Sequence, residues 1–132
     1  MDIRPCGSQP SRQAPAQYFT GTVWQDPIIE SSPPNLRATV VRFDPGARTN
    51  WHTHPAGQTL YIVSGVGRVQ TAVDGKVREV RPGDVVWFPP NVRHWHGAGP
   101  STTMVHIAIT EVRDGKFVEW LERVTDEQYK GA

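Results

Sequence analysis

Turn signals built on proline and glycine separate short apolar runs along most of this sequence, and that rhythm restricts the fold more than any other feature. The chain carries 12 glycines and 12 prolines. They recur in Asp44-Pro-Gly-Ala, Pro55-Ala-Gly, Asp74-Gly75, Arg81-Pro-Gly-Asp, Pro89-Pro90, Gly97-Ala-Gly-Pro and Asp114-Gly115. Proline presets φ and glycine permits φ > 0, so each cluster reverses the chain at little steric cost. Asp74-Gly75 is the strongest hairpin signal among them. The runs between, at residues 18–24, 36–43, 59–64, 68–73, 76–80, 85–88 and 102–110, are rich in β-branched and aromatic residues. Such residues suit a pleated, half-buried surface. The pattern predicts an all-β fold, a small antiparallel barrel with short hairpins, and argues against a helix bundle. Residues 85–88 read as a buried strand and 102–110 as a cleanly alternating one, while Asp26-Pro27 and residues 31–34 read as turns. Residues 117–124 are apolar and charged by turns. Thr125-Asp-Glu-Gln128 has the form of a capping box, which predicts a short helix near the C-terminus.

A length of 132 residues fits one domain with one core. Residues 1–17, rich in Pro, Ser and Gln, read as a loose leader, and 18–132 as the barrel domain. A net charge of +1 with no basic stripe argues against nucleic-acid binding. No apolar run has the length of a membrane span, and the opening residues lack the apolar core of a secretory signal. The single cysteine, Cys6, excludes an intrachain disulfide framework. Together these predict a soluble cytoplasmic domain.

The five histidines fall inside the strand-forming segments: His52 and His54, His94 and His96, and His106. Side chains alternate along a strand with period two, so each H-x-H pair shares one face. In a barrel, that face can look inward. A lone strand histidine is more often a hydrogen-bonded core or surface residue than a ligand, and His106 taken alone fits that description. Two H-x-H pairs in one short chain, each beside a Pro/Gly turn, point instead to a metal site. Imidazoles suit Zn, Cu, Fe and Ni, and oxygen ligands favour harder ions such as Mn.

The spacing also resembles a known family. Gly46, His52, His54, Gln58 and Gly65 stand at the intervals of the first cupin motif, G-x5-H-x-H-x3-E-x6-G, with glutamine where glutamate is usual. Gly83, Pro89, Asn91 and His94 follow the second, G-x5-P-x-G-x2-H-x3-N, with Asn91 in place of glycine and Ala98 in place of asparagine. The resemblance implies a single-domain cupin, a small double-stranded β-helix or jelly-roll barrel. It implies one divalent metal per subunit, held by His52, His54, Gln58 and His94. The segments WHTHPAGQTL, PGDVVWFPP with HWHG, and VTDEQY are further similar to small bacterial cupins that act as manganese-dependent (R)-selective hydroxynitrile lyases. That likeness spans nearly the whole chain. In that family a glutamine stands where this chain has Thr110.

The implied reaction is cleavage or formation of an (R)-cyanohydrin such as mandelonitrile, with Mn as the implied ion and Fe or Zn as alternatives. A neutral imidazole can take the hydroxyl proton, because its ordinary pKa lies near working pH. His106 and His96 are the candidates, with His106 favoured because a separate strand carries it across the cavity. His96 shares the face of His94, and could also orient a ligand from behind. Glutamine in place of glutamate adds no charge, so the ion keeps its full dipositive charge and attracts anions more strongly. Parity places Thr39, Val41, Leu60, Ile62, Met104, Ala108 and Thr110 along the wall of a pocket for a small substrate. Trp51, Trp87 and Trp95 read as packing residues. Open strand edges predict a homodimer or homotetramer. Two other functions fit the same residues: an iron-dependent dioxygenase or oxidase, and a non-catalytic barrel that binds a small ligand.

Overall fold

The computed structural model describes residues 1–30 and 35–131. The turn expected at 31–34 lies outside the described residues. Among the described residues, thirteen strands form two curled antiparallel sheets. The first sheet contains β1 (Arg12–Gln13), β3 (Val23–Ile29), β4 (Leu36–Phe43), β12 (Met104–Glu111), β7 (Gln58–Gly65) and β10 (Val85–Phe88), in that spatial order. The second runs β13 (Glu119–Trp120), β6 (His52–Thr53), β11 (His94–Ala98), β5 (Arg48–Thr49) and β2 (Phe19–Thr20). Its hairpin of β8 (Gly67–Thr71) and β9 (Arg78–Val80) joins through β11. Val41, Phe43, Leu60, Ile62 and Met104 from one sheet meet Phe19, Val69, Val80 and Ala98 from the other in a single core. The fold is the all-β barrel expected from the turn rhythm.

Several turns are built as their residues dictate. The Ala47 N–H donates to the Asp44 carbonyl and the Asp84 N–H to the Arg81 carbonyl, closing the two Pro-Gly turns. Gly65 closes β7 with φ 77°, and a Cβ there would lie 1.8 Å from the Thr103 carbonyl oxygen, so no other residue fits. Thr125 caps α1 (Asp126–Lys130) with the full reciprocal capping box. The helix seats Tyr129 against Trp51, Trp95 and Val124 in a second apolar cluster, and the Tyr129 hydroxyl donates to the Ala98 carbonyl at 2.6 Å.

Four expectations are corrected. Asp26-Pro27 does not turn; both lie inside β3, where the ladder to β4 shifts register between Pro27 and Ile29. A bulge tolerates the missing proline N–H. Residues 18–24 split at Gly21, whose φ is 81°, into β2 on one sheet and β3 on the other. The 1–17 segment is not wholly loose: Arg12–Gln13 pairs with Trp24 and Gln25, and Ala14 joins the core. That pairing satisfies backbone groups at an otherwise open edge. Finally, β10 is not buried on both faces, since Val85 is 64% and Trp87 55% exposed. No helix is long and apolar enough to cross a membrane among the described residues.

Candidate metal centre

Cross-strand pairing brings the two histidine motifs together. His52 on β6 lies directly opposite His94 on β11, and paired residues share a face, so their rings stand 4.3 Å apart between centroids. His54 follows β6 in the turn, and the Asn91 N–H donates to its carbonyl at 2.9 Å. Asn91 has φ 61°, the left-handed conformation that glycine adopts freely and asparagine tolerates. Asparagine therefore performs the backbone task of the motif's glycine, and it ties the second motif to the first.

The ligand-capable nitrogens of His52, His54 and His94 all lie within 4.8 Å of one another. Each ring is held from behind. The Nδ1 of His52 is 2.8 Å from the Asn50 carbonyl, that of His94 is 2.8 Å from the Val92 carbonyl, and that of His54 is 2.5 Å from the Phe117 carbonyl. A carbonyl only accepts, so Nδ1–H is the donor in each case and each Nε2 presents a bare lone pair. The Nε2 of His54 is buried with no hydrogen-bond partner. Phe88 stacks on His94 with centroids 3.7 Å apart, which fixes that ring's plane.

Gln58 supplies the fourth donor atom. It belongs to a row across the first sheet in which Arg37 pairs with Thr110, Thr110 with Gln58, and Gln58 with Phe88. The Gln58 Nε2 donates to Thr110 Oγ1 at 3.4 Å, and its Oε1 lies 3.4 Å from His94 Nε2. The amide oxygen thus faces the imidazoles while the amide nitrogen is turned away. Convergent imidazole lone pairs plus an amide oxygen, with the proton-bearing nitrogens all engaged elsewhere, form a donor set that fits one divalent ion.

The remaining histidines form a pair beside this set. His106 Nε2 lies 3.0 Å from His96 Nδ1, and the His96 ring centroid is 5.2 Å from that of His52. The His96 N–H donates to Thr49 Oγ1, which fixes the strand there. The outer nitrogens, His96 Nε2 and His106 Nδ1, are buried without a partner among the described residues. Burial lowers the pKa of all five imidazoles. His94 and His106 fall to about 3, and in His52 the neighbouring His94 and His54 add to the effect of burial. Burial likewise lowers His96, helped by His106, and lowers His54 against the raising effect of its bond to the Phe117 carbonyl. All five are neutral at pH 7, as metal ligation and proton acceptance both require.

A cavity of about 240 Å³ joins the two groups, lined by His52, His54, Gln58, His96 and His106 among others. Of the wall residues expected from parity, Thr39, Val41, Ala108 and Thr110 line it. Leu60, Ile62 and Met104 do not; they face inward but are sealed in the core at 0% exposure. His94 is not among the lining residues and stands behind the wall. The sequence reading missed the aromatic side of the cavity, where Tyr18, Phe19, Phe117 and Trp120 stand. Trp120 lies 4.8 Å from the His52 ring and stacks on Tyr18. Only the aromatic character of these residues could have flagged them. A larger groove of about 650 Å³ runs beneath residues 2–11 against Asp26 and Val40, but it holds none of the histidines.

The cupin domain signature matches residues 39–110. The (R)-mandelonitrile lyase of Granulicella tundricola is 55% identical over 98% of this chain and 99% of its own length. An acireductone dioxygenase of Acidiphilium cryptum is 30% identical over 76% of this chain, which spans about half (53%) of that enzyme. The crystal structure of a cupin-like protein from Thermotoga maritima superposes with a TM-score of 0.85 at 40% identity, covering 98% of this chain and 96% of that one. The domain signature covers more than half of the sequence and encloses every histidine of the site, so the chain belongs to the cupin family.

Proposed function

We propose that this protein is a metal-dependent hydroxynitrile lyase that cleaves, and in reverse forms, an (R)-cyanohydrin such as mandelonitrile. The observation that carries the reading is one small cavity shared by a charge-free ligand set and a second pair of neutral, buried imidazoles. The 55% identity to an (R)-mandelonitrile lyase supports it. His52, His54, His94 and Gln58 would hold the ion, for which we propose manganese. When bound, a divalent ion supplies a Lewis-acid site for a developing anion, and these four ligands leave its charge unreduced.

The chain's own residues do the rest. The cyanohydrin hydroxyl gives its proton to the His96–His106 pair, the C–CN bond breaks with its electrons leaving on cyanide, and the C=O of the aldehyde forms. His96 stands nearest the ligand set, and His106 backs it through the bond to Nδ1. Both imidazoles begin neutral because burial disfavours their charged forms. The aromatic wall of Tyr18, Phe19, Phe117 and Trp120 receives the apolar body of the substrate and excludes water.

Mandelonitrile cleavage under anaerobic conditions tests this reading, with protein loaded separately with Mn, Fe and Zn. Benzaldehyde release well above that of the His52→Ala variant supports it. His96→Ala and His106→Ala each keep the metal and lose most turnover. Release no faster than His52→Ala with every metal contradicts the lyase. The relationship to acireductone dioxygenase favours one alternative, an oxygenase, for which turnover would consume dioxygen.

We also propose a homodimer or homotetramer. Tyr61, Val63, Val85, Trp87 and Ile109 leave large apolar groups exposed on neighbouring strands of the first sheet. Sedimentation at micromolar concentration giving a monomer would contradict this.

A further inference from the structure

Among the residues lining the catalytic cavity, Arg37 alone carries a fixed formal charge. It stands on the inner face of β4, in the same cross-strand row as Thr110 and the metal ligand Gln58. Its guanidinium lies over the Phe117 ring, 4.2 Å from the centroid, and the Phe117 carbonyl is the acceptor that holds His54. Arg37 is therefore one residue removed from the ligand set by two routes, through Thr110 to Gln58 and through Phe117 to His54. No carboxylate pairs with it among the described residues, although most of the other ion pairs tie surface arginines to acids. A long cationic side chain that lines a cavity, is flattened on an aromatic face and lacks a counter-ion has its forked donors available to a ligand.

From these observations we infer that the cavity selects substrates bearing a carboxylate, or an equivalent anionic group, remote from the reacting carbon. The inference takes the catalytic cavity of the proposed lyase as its starting point. Neighbouring strands lie about 4.8 Å apart, so the Arg37 and Gln58 backbones, two strands removed, are separated by about 10 Å. The reacting carbon belongs at the histidines, the body of the molecule lies along Phe117, and the anionic end meets the guanidinium. An aromatic aldehyde with a para carboxylate has this shape. The neutral bay formed by Thr39, Ala108 and Thr110 offers that end no competing charge.

A non-reacting pair, 4-(hydroxymethyl)benzoate and benzyl alcohol, tests the inference by calorimetry on the Mn-loaded protein, independently of turnover. The carboxylate compound should bind about tenfold more tightly or better, as for a charge-assisted bond at a partly open site. Arg37→Gln should abolish that preference, and Arg37→Glu should reverse it toward 4-(aminomethyl)benzyl alcohol. A purely structural arginine, one that only pins Phe117, would weaken both ligands equally when replaced. Equal binding of the pair by the wild type overturns the inference. So does a preference that survives in Arg37→Gln, since the carboxylate would then be reaching the ion itself. Failure of mandelonitrile turnover with an Arg37-dependent preference intact would sink the lyase reading and leave the anion selectivity standing.

Discussion

Thr110→Val tests whether a residue outside the proposed ligand set controls metal affinity. Valine keeps the shape of threonine and removes only the hydroxyl that accepts from Gln58 Nε2 at 3.4 Å. Both residues are 6% exposed, so water cannot freely replace that acceptor. The amide is then free to rotate, and half of its orientations aim N–H groups at the ion in place of Oε1. Partners that orient a ligand are worth about 10–100-fold in metal affinity. The bond is long for an N–H···O contact, which places the loss at the lower end, about tenfold or about 1.4 kcal/mol. The metal-free fold should lose less, about 0.5–1 kcal/mol. Titration with Mn(II), following the free ion by electron paramagnetic resonance, reads the first quantity and urea unfolding the second. Thr110→Ser, which retains the hydroxyl, should bind as the wild type does. Mn(II) affinity within twofold of wild type in Thr110→Val would show that the hydroxyl does not orient the amide.

Gln58→Glu adds one negative charge to the ligand set; it should tighten metal binding and weaken azide binding to the loaded protein by about tenfold or more. Unchanged azide affinity would show that the neutral amide has no electrostatic role. Acid stability follows from the buried imidazoles. His106 falls to about 3 when folded against an ordinary 6.5, so between those values the unfolded chain binds the extra proton. Its contribution to stability is complete above pH 6.5 and is lost as the pH falls toward 3, at up to about 1.4 kcal/mol per pH unit. His94, depressed to about 3 by burial, adds in the same sense. Urea unfolding of the metal-free protein should therefore weaken steadily below pH 6.5, and a midpoint constant from pH 7 to pH 5 would contradict the burial account.

The histidine geometry was legible in the sequence partly from a local rule and partly from a resemblance. Period-two alternation puts His52 with His54 and His94 with His96. That His52, His54 and His94 meet, with Gln58 beside them, was implied by the spacing of the cupin motifs and not by alternation, and the cross-strand pairing of His52 with His94 brings it about. Other features depend on position along the barrel, which alternation does not encode. Leu60 and Ile62 have the parity of Gln58, yet they are fully enclosed in the core cluster with Met104 and do not line the cavity. Phe117 and Trp120 reach the site from a segment with little regular structure, of which only Glu119–Trp120 pairs, so no periodicity announces them. Pro27 reads as a turn by local preference and lies in a strand because the bulge after it absorbs the missing donor. Arg42, which shares β4 with Arg37, is exposed, whereas Arg37 lines the cavity; composition alone treats the two alike.

His52, His54, His94 and Gln58 are proposed to converge on one divalent ion. The decisive measurement is elemental analysis after Mn(II) loading and gel filtration, on the wild type and on a His52→Ala/His54→Ala double variant whose fold is checked by circular dichroism. One ion per chain is expected in the wild type and none in the folded double variant. A wild type that retains no divalent metal, or a double variant that keeps full occupancy, would contradict it.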